Sequence, residues 1–375
     1  MNGGIPKIEL DRLNNYFTVF PNLKDILFSK RSEKYYELSV TNIDEAINNH
    51  ENIKTFKKLY KDIFSDFYDY LYKELIKNIE HVNIFSEESE ISEVLFSRVE
   101  KMPLMDKYQS YQILDDNWKL ISNDLEVINN EGLQACNKID PIMEIKKRGE
   151  EETEVQVGIK GRILPLEQII DYKLLDLKIA LENKESTLND VDAKINEIFN
   201  NLTEDDKLEI NDALTEDNDG FVAKEIAKKA KEYLKNNMLE ESTAKKVIEV
   251  NNLFNEQKKI KKEIKQQKVE LETEAVKALN DLSINEILEL LSKKWISPIL
   301  VELDKQIEKI IDDFNKEIKE ISNKYSKTLK NIDVEISNTE KEISKMIDEL
   351  TGPENDMKGL QDLKSLLNDN GDYHE

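Results

Sequence analysis

A chain of 375 residues has room for two or three domains, but 35% charged residues with only 10 glycines and 7 prolines point to long helices and coiled coils rather than a loop-rich body. The formal net charge of −24 excludes a protein that grips a phosphate backbone with its whole surface, so any such contact must come from a local basic patch or a basic partner. The single cysteine, Cys136, excludes an internal disulfide and a cysteine-based zinc site.

No stretch near twenty residues is continuously apolar and no signal-peptide pattern is present, so the chain is expected to be soluble and cytoplasmic, with no membrane partner. The apolar residues are gathered into stripes, which separates this sequence from a disordered one.

Taken in order, Met1 to Pro6 reads as a loop entering an existing body. Ile8, Leu13, Phe17 and Phe20 then follow a helical period. Pro21 opens a short helix over residues 22–28, and residues 37–40 read as a short strand. Thr41 is the expected N-cap of a helix over residues 43–49. The aromatic stretch 53–79 carries Phe56, Tyr60, Phe64, Phe67, Tyr68, Tyr70, Leu71 and Tyr72. It reads as a core helix with hydroxyls at its rim, weighed against a base-stacking platform, because acids share its face where lysines would be needed. An acidic loop and a helix through Ile91, Leu95 and Val99 end at Pro103, and a second helix runs over residues 104–122.

Leu125 to Ile163 changes character. Leu125-Glu126-Val127-Ile128 and Val155-Gln156-Val157-Gly158-Ile159 read as strands of a small sheet on either side of a charged segment, residues 146–154, with Gly158 and Gly161 permitting tight backbone geometry. From Pro165 onward helix dominates. One stripe runs from Leu174 to Ile198 and another from Val247 to Leu271, separated by an insertion with acidic loops at residues 204–206 and 216–219. Two such stripes suggest an antiparallel hairpin with a small knob at its tip.

A short helix over residues 285–292 leads to Trp295 and the longest stripe of all. Leu303, Ile307, Ile310, Phe314, Ile318, Ile321, Tyr325, Leu329, Ile332, Ile336, Ile343, Ile347 and Leu350 recur at three, four or seven residues. As one helix this rod would be about 70 Å long, and something must lie along it, either another part of this chain or another protein. The candidate partner-binding residues are therefore Trp295, Ile307, Ile310, Phe314, Ile318, Ile321, Tyr325, Leu329, Ile332 and Ile336. A charge at Ile318 is expected to break that contact and leave the rest folded. Gly352 and Pro353 end the rod, and an amphipathic piece over residues 357–367 follows.

The fold class expected is mainly α: long helices and an antiparallel coiled-coil hairpin, with a small β element around residues 125–163. The expected parts are a helical domain (1–122), a small mixed α/β segment (123–172), a helical hairpin with an inserted acidic knob (173–282), and the long C-terminal helix and tail (283–375).

Catalytic patterns are missing. His50 and His81 lie at predicted helix ends, where capping or solvation accounts for them, and no histidine pair has metal-ligand spacing. No Gly-x-Gly-x-x-Gly turn, Walker loop or nucleophile elbow is present. No catalytic, cofactor or metal residue is assigned. Two basic features remain as candidate DNA contacts. Lys258, Lys261, Lys262 and Lys265, with Lys259 and Lys268, form a cluster that reads either as a phosphate contact or as the solvated face of a coiled coil. Lys160 and Arg162 sit in a glycine-bracketed turn that suits DNA, an acidic partner or a plain hairpin equally.

Several motifs resemble the modification (M) subunits of type I restriction–modification systems. Lys294-Trp295-Ile296-Ser297-Pro298 resembles that family's KWI-x-P segment, and Lys324-Tyr325-Ser326-Lys327-Thr328-Leu329 its KY-x-T-L element. Asp348-Glu349-Leu350-Thr351-Gly352 and Asp356-Met357-Lys358-Gly359-Leu360 resemble its ending. Upstream, Pro103 to Gln112 is similar to PL-x-DKY-x-x-YQ. Gly158-Ile159-Lys160-Gly161-Arg162-Ile163-Leu164-Pro165 is similar to GWKG-x-ILP, with Ile159 in place of the usual Trp.

The resemblance implies the C-terminal region of an adenine-specific DNA methyltransferase subunit, beginning where the S-adenosylmethionine-binding domain ends, since the family's Pro-Pro catalytic motif is absent. It implies no cofactor in this chain. Its partners would be the specificity (S) subunit, which reads DNA, and the restriction subunit, with DNA reached through the complex. Two other readings stand beside it: a methyltransferase half complemented by a separate catalytic chain, and a structural coiled-coil homo-oligomer unrelated to DNA modification.

Overall fold

The computed structural model describes residues 4–148, 151–238, 242–326 and 329–369. The fold is mainly α, with long helices and only small antiparallel sheets. In chain order the elements are β1 (Ile5–Pro6), α1 (Lys7–Asp11), α2 (Asn14–Val19), α3 (Leu23–Leu27), β2 (Phe28–Lys30), β3 (Tyr35–Leu38), α4 (Ile43–Asn48), α5 (Glu51–Phe64), α6 (Phe67–Leu71), α7 (Ile84–Val99) and α8 (Lys107–Glu131). There follow β4 (Ile139–Arg148), β5 (Glu151–Gly161), α9 (Leu166–Lys173), α10 (Leu175–Asn200), α11 (Glu204–Glu209), α12 (Ala223–Lys235), α13 (Ser242–Asn280), α14 (Ile284–Tyr325), α15 (Leu329–Glu349) and α16 (Glu354–Asp369). The chain divides into two compact units: Met1–Ser122 with Trp295–Glu375, and Asn123–Lys294. The described residues from Trp295 onward thus cluster with the N-terminal helices.

In the first unit two of the residues expected as an entering loop form a strand. Ile5 and Pro6 pair with β3, which also pairs with β2, giving the antiparallel order β1-β3-β2. Leu10, Leu13, Phe20, Leu23 and Leu27 are fully buried. The cap of α4 is Asn42, one residue later than Thr41, its side chain accepting from the Glu45 N–H. The aromatic stretch is core: Phe56, Phe64, Phe67 and Leu71 are buried, and Phe20 meets Phe56 edge-on. After α6 the chain widens into a π-helical turn, Tyr72–Lys77, within which the adjacent residues Leu75 and Ile76 are both fully buried. The acidic run Ser86–Glu90 lies inside α7, not in a loop. Asn83 caps that helix, and Glu87 in its first turn suits the positive end of the helix dipole.

Leu125 to Ile128, expected as a strand, is the last part of α8. Trp118, Ile121, Leu125 and Ile128 are all buried at intervals of three and four, so the helical period continues through the short apolar run.

The second unit contains the β4–β5 hairpin, with a bulge between Ile142 and Met143. The charged segment that was expected to separate two strands is itself mostly strand, and its tip, Gly149-Glu150, lies outside the described residues. Gly161 ends β5 where the backbone passes so close to Leu164 that a Cβ would fall 1.8 Å from its carbonyl oxygen. Only glycine fits there. Gly158 meets nothing tighter than Ile142 Cδ1 at 3.6 Å.

Helices α10 and α13 form an antiparallel hairpin. Lys184 pairs with Glu263 and Glu185 with Lys268, while Asp192, further along α10, accepts from Gln257, earlier on α13. Leu181, Val191, Ile195, Ile260, Ile264 and Leu271 form its seam. The insertion is a knob with a core of its own, built on Leu202, Ile210, Ala213, Ile226, Ala230, Val247 and Val250. Its first acidic segment is not a loop but the opening turn of α11. Thr203 and Asp206 bond each other's backbone N–H groups in a capping box. Asp206 is buried, and it also accepts from Thr243 at 2.6 Å and from Lys246 at 2.7 Å.

Burial pushes the Asp206 carboxyl up, but those hydrogen bonds outweigh it and hold it well below the usual carboxylate range. The stabilisation is therefore fully present above the unfolded value of about 3.9 and is lost as pH falls through the lowered folded value. Asp206→Asn is expected to weaken the knob by about 2–3 kcal/mol at neutral pH. Amide hydrogen exchange over residues 203–250 checks this: wild-type protection should fall below about pH 4 while the variant's changes little. Parallel pH curves would show that the network contributes nothing.

The rod is divided differently from expectation. The short helix over 285–292 and the start of the rod are one helix, α14, with Trp295 and Pro298 in its interior. The helix then stops at Tyr325, and α15 begins at Leu329. Ser326 bonds back to the Asn323 carbonyl through its hydroxyl, at 2.9 Å, and so competes with the helical ladder at that point.

Candidate functional site

Among the described residues, no group of three or more His, Cys, Asp and Glu side chains is placed to hold a metal ion. His50 caps α5, its Nδ1 accepting from the Asn52 N–H at 3.1 Å. Cys136 is buried, and burial together with Asp124 pushes its thiol up to about 12, far from a nucleophile's range.

The first surface is the stripe on α14. Trp295, Ile307, Phe314 and Ile318 are buried to 3% exposure or less. Ile310, Ile321 and Tyr325 are half-buried. Around Phe314 the cover of the stripe comes from residues 1–122. Phe314 stacks on Tyr16 at 4.7 Å and meets Phe17 edge-on at 5.7 Å, with Phe20 at 5.9 Å. Polar contacts flank it: Lys57 pairs with Glu308, Lys319 with Asp44, and Ser110 donates to Gln306. Tyr60 is buried, and burial together with its hydrogen bond to Asp304 raises its phenol. Tyr325 and Lys324 both donate to Glu9, and these bonds lower the Glu9 carboxyl against its partial burial.

These residues are therefore the core of the first unit, and Ile318→Glu would place a charge there rather than spare the fold. Ile311, 1% exposed, belongs to the same core and escaped the stripe because it sits beside Ile310 in the sequence.

The second surface begins where the helix breaks. The side chains of Leu329 and Ile332 lie outside the described residues. Beyond them Ile336 is 51% exposed, Ile343 38%, Met346 63% and Leu350 51%. These positions continue the helical spacing of the stripe, yet of its described members on α15 only Ile347 is buried. Helix α16 packs against α15, and Lys364 pairs with Asp348 across them. That contact leaves the apolar edge of α15 facing outward.

The basic candidates separate into two kinds. Arg162 is engaged in a structural clamp at the base of the hairpin, donating to both Glu131 oxygens at 2.6 and 2.7 Å and to Asp140 at 2.7 and 3.0 Å. Lys160 is exposed on β5, opposite Asp140 in register. Lys258, Lys261, Lys262 and Lys265 are all exposed on α13.

Sequence reasoning missed Lys294. Its ammonium donates to Asp124 and to the Ile163 carbonyl, both at 2.5 Å, with both charged side chains 13% exposed. The signal was a lysine directly before a tryptophan. Compared with protein-family models, curated proteins and solved structures, the chain matches none of them.

Proposed function

We propose that this chain is the C-terminal region of the modification subunit of a type I restriction–modification DNA methyltransferase, and that it docks that enzyme onto the specificity subunit. The observation that carries the reading is the exposed apolar edge of α15, formed by Ile336, Ile343 and Met346, with Leu350 exposed just past the helix end. It lies in the segment whose Asp348-Glu349-Leu350-Thr351-Gly352 and Asp356-Met357-Lys358-Gly359-Leu360 runs resemble the family's ending. An apolar helix edge in water is what a coiled-coil partner covers. On this reading S-adenosylmethionine belongs to the methyltransferase domain, DNA recognition to the specificity subunit, and DNA cleavage to the restriction subunit. This chain supplies no reacting group.

Size-exclusion chromatography with light scattering tests it, on the chain alone and mixed with the specificity subunit of the same system. A monomer that shifts into a complex on mixing is the expected result. Ile343→Glu with Met346→Glu is expected to weaken that complex about 100-fold or more, because two exposed apolar contacts become charges facing an apolar partner. The far-UV circular dichroism of the variant should be unchanged, since neither side chain is buried. Undiminished binding by the variant would sink the docking surface. A tight homodimer that the same substitutions dissociate, and that ignores the specificity subunit, would establish the homo-oligomer instead.

A further inference from the structure

One stretch of the second unit runs against the acidity of the chain. Between Lys258 and Lys268, α13 holds six lysines and a single acid, Glu263. That acid is occupied across the hairpin seam by Lys184. Lys268 pairs with Glu185, whereas none of Lys258, Lys261, Lys262 and Lys265 forms an ion pair among the described residues. The last four fall at i, i+3, i+4 and i+7, which places them on one helix face. Ile260 and Ile264 occupy another face and are buried against α10. The result is a straight ridge of exposed ammonium groups about 10 Å long on a two-helix support.

We infer that this ridge binds the phosphodiester backbone of a duplex nucleic acid. The chemistry of the face selects this ligand over the other polyanions. A protein partner is anchored by aromatic or aliphatic groups at the centre of its contact, and an anionic membrane by an apolar helix face that sinks into it. Here the apolar face is already buried in the hairpin seam, and the basic face offers one exposed aliphatic residue, Val269, beyond its end. A phosphate backbone needs neither: a row of cations at helical spacing suffices, through counterion release. Lysines are point charges that position without reading bases, so binding is independent of sequence. The chain's net charge does not forbid it. At 0.1 M salt the screening length is about 10 Å, so acids on distant surfaces are muted while the ridge is in contact. Glu270 and Glu272 mark where the basic run stops. The inference stands on the hairpin alone and is independent of the α15 docking surface.

The test uses the full chain and a fluorescent 25-base-pair duplex of arbitrary sequence, by anisotropy from 50 to 200 mM salt. Affinity should fall with salt with a log–log slope of about −3 to −4, as for three or four phosphate contacts. Lys258→Glu, Lys262→Glu and Lys265→Glu together should lower affinity at least about 30-fold and flatten the slope by about 3. Because these side chains are exposed, the variant should keep its helical circular dichroism. Should it not, the triple glutamine variant serves, with a smaller loss in the same direction. Anionic phosphatidylserine vesicles and polyglutamate are run in parallel. No duplex binding at 50 mM salt, equal binding by a folded variant, or tighter binding to vesicles or polyglutamate than to duplex would each overturn the inference.

Discussion

Phe314→Ala is expected to cost the first unit about 3–5 kcal/mol. The ring is fully buried and contacts three others, Tyr16, Phe17 and Phe20, at centroid distances of 4.7 to 5.9 Å. Its removal loses the transfer energy of the ring and leaves a cavity that neighbouring aromatics, fixed by their own contacts, do not close. Phe314→Leu keeps most of the volume and should cost less than half as much. Both tryptophans of the chain, Trp118 and Trp295, belong to this unit and are buried. Intrinsic fluorescence during urea unfolding therefore reports on it directly. A loss below about 1 kcal/mol for Phe314→Ala would mean that the stripe on α14 is not held by the N-terminal helices.

Lys294→Met is expected to cost the second unit about 3–5 kcal/mol. The substitution keeps the side-chain length but takes the ammonium away from the largely buried Asp124 and from the Ile163 carbonyl. The expense lies in what remains: a carboxylate sheltered from water that has lost its cation. Adding Asp124→Asn should recover part of the loss, since the remaining group is then neutral. The double-mutant cycle separates pair energy from packing. Amide exchange across residues 123–294 is the readout. A single variant as protected as wild type would show that water reaches the pair freely and that its apparent burial has no energetic weight.

Much of this architecture is legible in periodicity. The seam of the α10–α13 hairpin, with Leu181, Val191 and Ile195 facing Ile260, Ile264 and Leu271, follows from two stripes separated by an insertion. The stop near Gly352 and Pro353 is legible too, although α15 ends at Glu349, short of the pair, and Gly352 does not take the left-handed backbone of a glycine cap. Errors arose where a local signal was shared by two structures. Leu125-Glu126-Val127-Ile128 is short, apolar and partly β-branched, and only its phase with Trp118 and Ile121 marks it as helix. The acids at residues 204–206 read as loop by composition, although Thr203 with Asp206 is a helix-start pattern that the structure uses. The candidate basic residues also split. Arg162 and Lys258 are alike in sequence as exposed cations, but only the fold brings Glu131 and Asp140 around the first.

By itself the sequence determined that this is a helical protein with a long apolar stripe near its end, and that the stripe must be covered. Tertiary structure alone decided what covers which part. At Phe314 the cover comes from residues hundreds of positions away, Tyr16, Phe17 and Phe20, whereas Ile336, Ile343 and Met346 remain exposed. The reason is physical. Helical spacing is a local property of the chain and states which face is apolar. Burial of that face is driven by a force that has no direction and no preference for one apolar surface over another, so the identity of the covering surface is settled only when distant segments pack.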